Sequence, residues 1–498
     1  MKLRSGNMNK LINSKTFIFS VSAPVFIVLL ISGKSLSQPI SPLFHSTGPN
    51  AELFDDSIIV KYKESILDSN VPSKRQARMN KIATTLLAQH GVRAIRSLPR
   101  FGIQLFRLGP GQHLDVVISA LRNNPNIEYA EYNFRIIGEQ SPPPPKDPTD
   151  PQWITGSFWG LRKIGMRSAW GYHTDASNII VAVIDSGIDY THPDLAPNMY
   201  TDSFGEHGYN FCDENADPKD TTEHGTAVAG VIGATGDNNY GGVGTDWKVR
   251  LVALKAICIL EDKIPIGGVF QAEAALEWAM AIGAHIINNS WRLDPKLTPS
   301  QLQNQINILE GAVRQTNCEG PAIVTPCVPA LFVAAAGNGR TGEPLNNDPC
   351  TGASTNCGAK VFPANFGATP YNISNVISVA ATECTDSPSC FTTPLWSNSH
   401  YGSQTVHIAA PGVNIFSTVL WKPAQPWLSY SAGEGTSMAT PHVSGCAALL
   451  QARKLAISGI LLSITQLKDL LFNNAETPFV GKIMNGRSLS CAKAMAAM

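Results

Sequence analysis

The chain has 498 residues, more than one small core organises, and that length predicts a large folded unit with at least one smaller companion. Its 38 Lys and Arg residues balance 38 Asp and Glu residues and no basic run builds a charged face, which argues against a nucleic-acid partner. A hydrophobic fraction of 43% excludes a disordered or fibrous chain.

Lys2, Arg4, Lys10 and Lys15 precede an apolar run over residues 17–31, and small polar residues follow up to Ser37. That order predicts a signal peptide over residues 1–37. The run is too short, and too interrupted by Ser20, Ser22 and Pro24, for a spanning helix of roughly 20 residues. No later segment is apolar enough to span, so the processed product is expected to be secreted, extracellular and without a membrane segment.

Residues 51–137 read as strand, helix, strand, helix, strand: runs at 57–62 and 103–108, a polar helical stretch between them, a helix over 113–121, and a turn at 124 entering a last strand. This is the pattern of a small α+β domain. Residues 138–150 contain Ser141-Pro142-Pro143-Pro144-Pro145, which suits neither helix nor interior strand. An extended, protease-accessible linker that carries the maturation cut is expected there.

From residue 151 to 498 short apolar runs alternate with helical stretches rich in Ala and Gly. Strands are predicted at 179–184, 249–257, 285–288, 331–335 and 376–380, and helices at 225–234, 270–282 and 300–315. The pattern predicts an α/β fold, a mostly parallel, doubly wound sheet with helices on both faces. All ten cysteines lie at or beyond Cys212. Cys318 with Cys327, Cys350 with Cys357 and Cys384 with Cys390 suit local disulfides in loop sequence. Cys258 and Cys446 sit in apolar segments and read as buried thiols, which leaves Cys212 and Cys491 unassigned.

The run at 179–184 ends abruptly in Asp185, and a strand's carboxyl end is where sites form in such sheets. His224, in Glu223-His224-Gly225-Thr226, begins a helix of small residues that can pack closely. Ser437, in Gly435-Thr436-Ser437-Met438-Ala439, opens a helix with small or apolar residues all round, so a buried one. At its N-terminal end, unpaired N–H groups and the helix dipole favour an oxyanion. Each residue alone suits a turn, a loop or an N-cap. Together they form the acid, base and nucleophile of acyl transfer.

Val183-Ile184-Asp185-Ser186-Gly187-Ile188-Asp189, His192-Pro193-Asp194-Leu195, His224-Gly225-Thr226 and Gly435-Thr436-Ser437-Met438-Ala439 resemble the motifs of the subtilisin family, over residues 159–494. The order Asp, His, Ser along the chain is also subtilisin's. Residues 51–137 are similar to the family's inhibitory, ferredoxin-like propeptide, most clearly at 124–131. Proprotein convertases differ, since Asp-Gly follows their catalytic acid and Ser186-Gly187 follows Asp185 here. The resemblance implies a monomeric serine endopeptidase made as a zymogen, with protein or peptide substrates, its own propeptide as inhibitor and no cofactor for the chemistry.

It further implies Asp185, His224 and Ser437 as the triad, and Asn338, after the strand at 331–335, as an oxyanion donor. Ser290, Trp291 and Gly337 would line the substrate pocket, with Arg292 where relatives usually have Gly. Asp194 and Asn239, the latter in the loop 237–242, would be ligands of a structural calcium, in a loop one residue shorter than in relatives.

Overall fold

The structure, a computed structural model, describes residues 53–109, 111–134, 141–155, 158–259, 265–318, 328–339, 343–350, 358–386 and 389–498. The expected signal peptide, linker residues 138–140, Cys327 and Cys357 lie outside them. The chain divides into two units, Met1–Glu139 and Gln140–Met498. Among the described residues no helix is long and apolar enough to cross a membrane.

The first unit is a four-stranded antiparallel sheet in the order Arg93–Leu98, Ile103–Arg107, Leu53–Tyr62, Ile127–Phe134. Alternate residues Ile58, Val60 and Tyr62 pack with Phe106 and Ala130 against Met79 and Leu86 of the helix Pro72–His90 and Val117, Ile118 and Leu121 of the helix Leu114–Arg122. The α+β order is as expected, with one more strand. Arg93–Leu98 is a half-polar edge strand, so its apolar periodicity was too weak to register.

In the second unit nine strands form one sheet, ordered Glu476–Phe479, Gly486–Ser488, Ile408–Pro411, Val376–Thr382, Leu331–Ala335, Ile286–Asn289, Asp175–Asp185, Lys248–Lys255, Gly208–Asn210. Every pair is parallel except Glu476–Phe479 with Gly486–Ser488. Both faces are covered, as the continuous apolar runs require. On one face Ile179, Val181 and Val183 pack against the helices His224–Gly233 and Thr436–Ser458. On the other Ile180, Ala182 and Ile184 meet the helices Val269–Ala281 and Pro299–Gln315. Each fully buried Val or Ile contributes about 1.5–3 kcal/mol. By the two-residue alternation of a strand, Asp185 points to the face that carries His224–Gly233 and Thr436–Ser458, and a slip of one residue would send it to the other.

The helix Thr436–Ser458 is buried throughout residues 436–452, and several of its polar side chains are hydrogen-bonded. Thr440 Oγ1 donates to Thr436 O, Ser444 Oγ to Asn288 Oδ1 and Gln451 Nε2 to Leu462 O.

Two cysteine readings are corrected. Cys258 and Cys446 are not free thiols: Cys212 is bonded to Cys258 and Cys446 to Cys491. Both bridges join segments distant in sequence, which spacing does not reveal. Cys384–Cys390 is the local bridge expected, and Cys318 and Cys350 are disulfide-bonded as well. The linker differs too. Residues 141–150 are extended, but they belong to the second unit: Lys146 N donates to Arg167 O at 2.8 Å, Asp147 pairs with Arg167, and Asp150 is buried. Residues 141–147 are mostly exposed, and the contacts of Lys146, Asp147 and Asp150 fasten the end of the segment to this unit.

The Cys446–Cys491 bridge ties the helix of Ser437 to the short helix Cys491–Ala496 over a separation of 45 residues. Closing a loop of that length in the unfolded chain is worth about 4 kcal/mol of stability. Replacing both cysteines by Ala is expected to lower the unfolding free energy by that order in denaturant titrations without reductant, with a proportionate fall in Tm.

Candidate active site

The sheet changes direction at Asp175–Asp185. From there the chain goes on to Lys248–Lys255 on one side and to Ile286–Asn289 and Leu331–Ala335 on the other. Such a switch point leaves a crevice at the carboxyl ends of its strands. Asp185 closes the first of them and is fully buried. Its Oδ1 accepts from Ser186 N and His224 Nδ1, both at 2.7 Å, while Oδ2 is buried without a partner among the described residues.

His224 is the first residue of its helix. The helix start reaches the strand end because Gly225 follows: a Cβ there would lie 2.1 Å from Gly187 O and 3.2 Å from Asp185 Cβ. The Asp185 charge beside the imidazole holds its pKa above the ordinary histidine range, against the opposing pull of burial. A carboxylate only accepts, so Nδ1 carries the proton and the neutral ring presents Nε2 as a base.

Ser437 is the second residue of its helix and 8% exposed. In the first turn Thr436 N donates to Asn338 Oδ1 at 2.8 Å, and Met438 and Ala439 N donate to Gly435 O. That leaves Ser437 N–H without an acceptor among the described residues, one of the orphan donors of a helix start. Thr436 Oγ1 also donates to Asn338 Oδ1, at 2.8 Å. Two donors on one oxygen fix the amide plane and leave Nδ2 free. A Cβ built on Gly435 would lie 2.7 Å from Asn338 Nδ2 and 3.1 Å from Ser437 Oγ, so the amide and the hydroxyl border one small space.

The helices of His224 and Ser437 pack on each other over the face to which Asp185 points. Among the described residues no hydrogen bond joins His224 to Ser437; in free sites this contact is commonly long and tightens around substrate.

Ser290 and Trp291 continue the strand Ile286–Asn289 beside this space. Ser290 Oγ donates to Ser437 O at 2.9 Å and accepts from Asn288 Nδ2 at 3.0 Å, so it tethers the backbone of Ser437. Trp291 packs partly buried against the second core. Arg292 forms an ion pair with Glu343 at 3.0 Å. Gly337 N donates to Thr436 Oγ1, and a Cβ on Gly337 would lie 3.1 Å from Val361 Cγ1.

Around Asp194 the loop 237–242 folds inward. Asn238 Nδ2 donates to Oδ1 at 2.9 Å, and Gly242 N and Tyr430 OH donate to Oδ2 at 2.8 and 2.7 Å. The residue that reaches Asp194 is therefore Asn238, not Asn239, whose side chain is exposed. Asp150 joins the group, accepting Asp237 N at 2.7 Å through Oδ2 while Oδ1 is buried without a partner among the described residues. Burial raises the Asp150 and Asp194 pKa values to about 6 each.

Asp150, Thr436 and Asp220 escaped the sequence reading. Asp220, four residues before His224, is 2% exposed and holds residues beside Asp185 and His224. Thr436 could have been found from its place between Gly435 and Ser437, but Asp150 is marked only by its position after the prolines.

The profile of the Subtilase family matches residues 176–489, and that of the fervidolysin N-terminal prodomain matches residues 45–133. The chain is 29% identical to a thermophilic serine proteinase from Bacillus sp. (strain AK1) over 446 residues, 89% of this chain and 90% of the relative. It is 30% identical to thermitase from Thermoactinomyces vulgaris over 324 residues, 65% of this chain and 91% of that one. A crystal structure of a lanthipeptide protease superposes with a TM-score of 0.53 at 19% identity, covering 71% of this chain and 99% of the other, a likeness of fold.

Gly435 has φ 128° and ψ 169°, a conformation essentially confined to glycine. Gly435→Ala is expected to cost about 1–3 kcal/mol of strain, read as a lower urea midpoint, and to displace the Asn338 amide.

Proposed function

The chain belongs to the subtilase family of serine endopeptidases and carries an N-terminal prodomain, and from that premise we propose that Asp185, His224 and Ser437 are its catalytic triad. The observation that carries the assignment is the 2.7 Å bond from His224 Nδ1 to Asp185 Oδ1, which leaves Nε2 as the base on the face that bears Ser437. His224 takes the Ser437 proton as Oγ attacks the scissile carbonyl, and returns it to the leaving amine. Water then hydrolyses the acyl-enzyme by the same route. Asp185 orients the imidazole and stabilises its cation. Asn338 Nδ2 and the unpaired Ser437 N–H bind the oxyanion, both fixed before substrate arrives, so little reorganisation opposes them. Ser290, Trp291 and Gly337 bound the pocket for the residue on the acyl side.

Protein and peptide substrates follow from the chemistry. The enzyme is a secreted zymogen that acts as a monomer: residues 1–37 direct export, the unit within residues 51–137 is its own inhibitor, and maturation cuts ahead of the docked segment that begins near Lys146.

A structural calcium fits the second unit. Two buried carboxylates that no cationic side chain pairs among the described residues are costly, and there Asp150 Oδ1 has no partner. Asp150, Asp194 and the oxygen-rich loop 237–242 would hold the ion, which would neutralise the pair and fasten the docked segment. The hydrolysis draws no chemistry from it.

A serine-reactive fluorophosphonate is expected to label the processed protein, and Ser437→Ala to abolish labelling and cut turnover on the order of 10⁶-fold, a figure that subtilisin itself supplies. The kcat/KM profile should rise through neutral pH with an acid limb above the about 6.5 of unperturbed imidazole, since His224 must be neutral to act. An activity peak below about pH 5 would refute the assignment.

Calcium at a hundredfold excess over its Kd is expected to stabilise the protein by about 2.7 kcal/mol, read as a rise in Tm over the chelated form. Asp150→Asn should lose most of that rise.

A further inference from the structure

Asp220 is a buried carboxylate with no part in the chemistry above, yet five donors converge on it. Its Oδ1 accepts from Ser186 Oγ at 3.0 Å, Thr222 N at 2.8 Å and Thr222 Oγ1 at 3.0 Å. Its Oδ2 accepts from Thr226 N at 3.0 Å and Thr226 Oγ1 at 2.6 Å. Ser186 Oγ in turn accepts Gly225 N at 2.9 Å, and Thr226 Oγ1 accepts Asp189 N at 3.0 Å.

These partners are not scattered. Ser186 directly follows Asp185, and Gly225 and Thr226 directly follow His224. One carboxylate thus grips the two backbone ends that carry the acid and the base, through hydrogen bonds strengthened by its charge. Glu223, the residue before the helix, supplies no side-chain cap, so Asp220 serves the helix's first N–H groups from outside and sets its negative charge against the positive end of the helix dipole.

We propose that Asp220 is a positioning residue for the catalytic pair: it clasps the end of the strand Asp175–Asp185 to the start of the helix His224–Gly233 and so holds the imidazole at hydrogen-bonding distance from Asp185. The proposal rests on the triad assignment. The charged groups about the imidazole are Asp185 from the strand, Asp220 from the loop, and Glu223 at the helix start, itself paired with Lys422 at 3.7 Å. Asp220 adds to Asp185 in favouring the imidazolium, so loss of its charge leaves a signature that loosened packing would not.

The test uses the full chain, processed and normalised by fluorophosphonate titration. Asp220→Asn is expected to lower kcat by about 10²-fold with KM nearly unchanged, as a small misplacement of the base does, and to shift the acid limb of kcat/KM to lower pH. Ser186→Ala, which removes the bridging hydroxyl, should also lower kcat, and Ser186→Thr, which keeps one, should restore it. A folded Asp220→Asn protein with unchanged kcat and an unmoved acid limb overturns the proposal. Should Asp220→Asn fail to fold, equal kcat in the Ser186→Ala and Ser186→Thr proteins overturns it. Activity surviving in Ser437→Ala would instead sink the triad assignment; its loss there, beside an unaffected Asp220→Asn, sinks the clasp alone.

Discussion

A single hydrogen bond of 2.7 Å, from His224 to Asp185, joins the end of a strand to the start of a helix, and much of the second unit serves to let those two ends meet. The sheet must place Asp185 on the correct face, which the alternation of two well-filled cores enforces. The helix must approach within van der Waals distance, which only a glycine at 225 permits. A buried carboxylate must also be tolerated, and two donors, Ser186 N and His224 Nδ1, meet its Oδ1.

The same device recurs across the site. Asn338 is aimed by two donors from Thr436, Ser437 is tethered through Ser290 and Asn288, and Asp220 draws five donors to one carboxylate. Each is a polar group in a water-poor setting, where satisfied hydrogen bonds are stiff and an unsatisfied one is expensive. The stiffness of this region therefore resides in supporting residues such as Thr436, Ser290 and Asp220.

Features with strong local signatures were legible in the sequence. The strand Leu331–Ala335 is a continuous apolar run and matches the residues expected. The helices Val269–Ala281 and Pro299–Gln315 fall within one residue of their expected bounds, the latter helped by Thr298 and Gln301 at its start. Asp185, His224 and Ser437 each stand at an abrupt end of such an element. What escaped notice depends on contacts between distant segments. The three-residue strands Gly208–Asn210 and Gly486–Ser488 are too short for periodicity to declare them, and exist only as partners of a larger sheet. Cys258 and Cys446 find partners 46 and 45 residues away, which apolar context misrepresents as burial of lone thiols. In the loop 237–242, Asn238 and Asn239 are chemically alike, and the course of the backbone decides which one turns inward.

The bond between Cys446 and Cys491 also bears on the order of events during synthesis. Ser437 and Cys446 lie on one helix, but the sulfur that fastens it is translated 45 residues later. The segment bearing Ser437 is therefore made well before it can be covalently locked, and closure of the bridge comes after the strands beneath it have been produced. Until Cys491 is present, packing and hydrogen bonds alone can hold that helix, so its covalent fastening waits for nearly the whole scaffold.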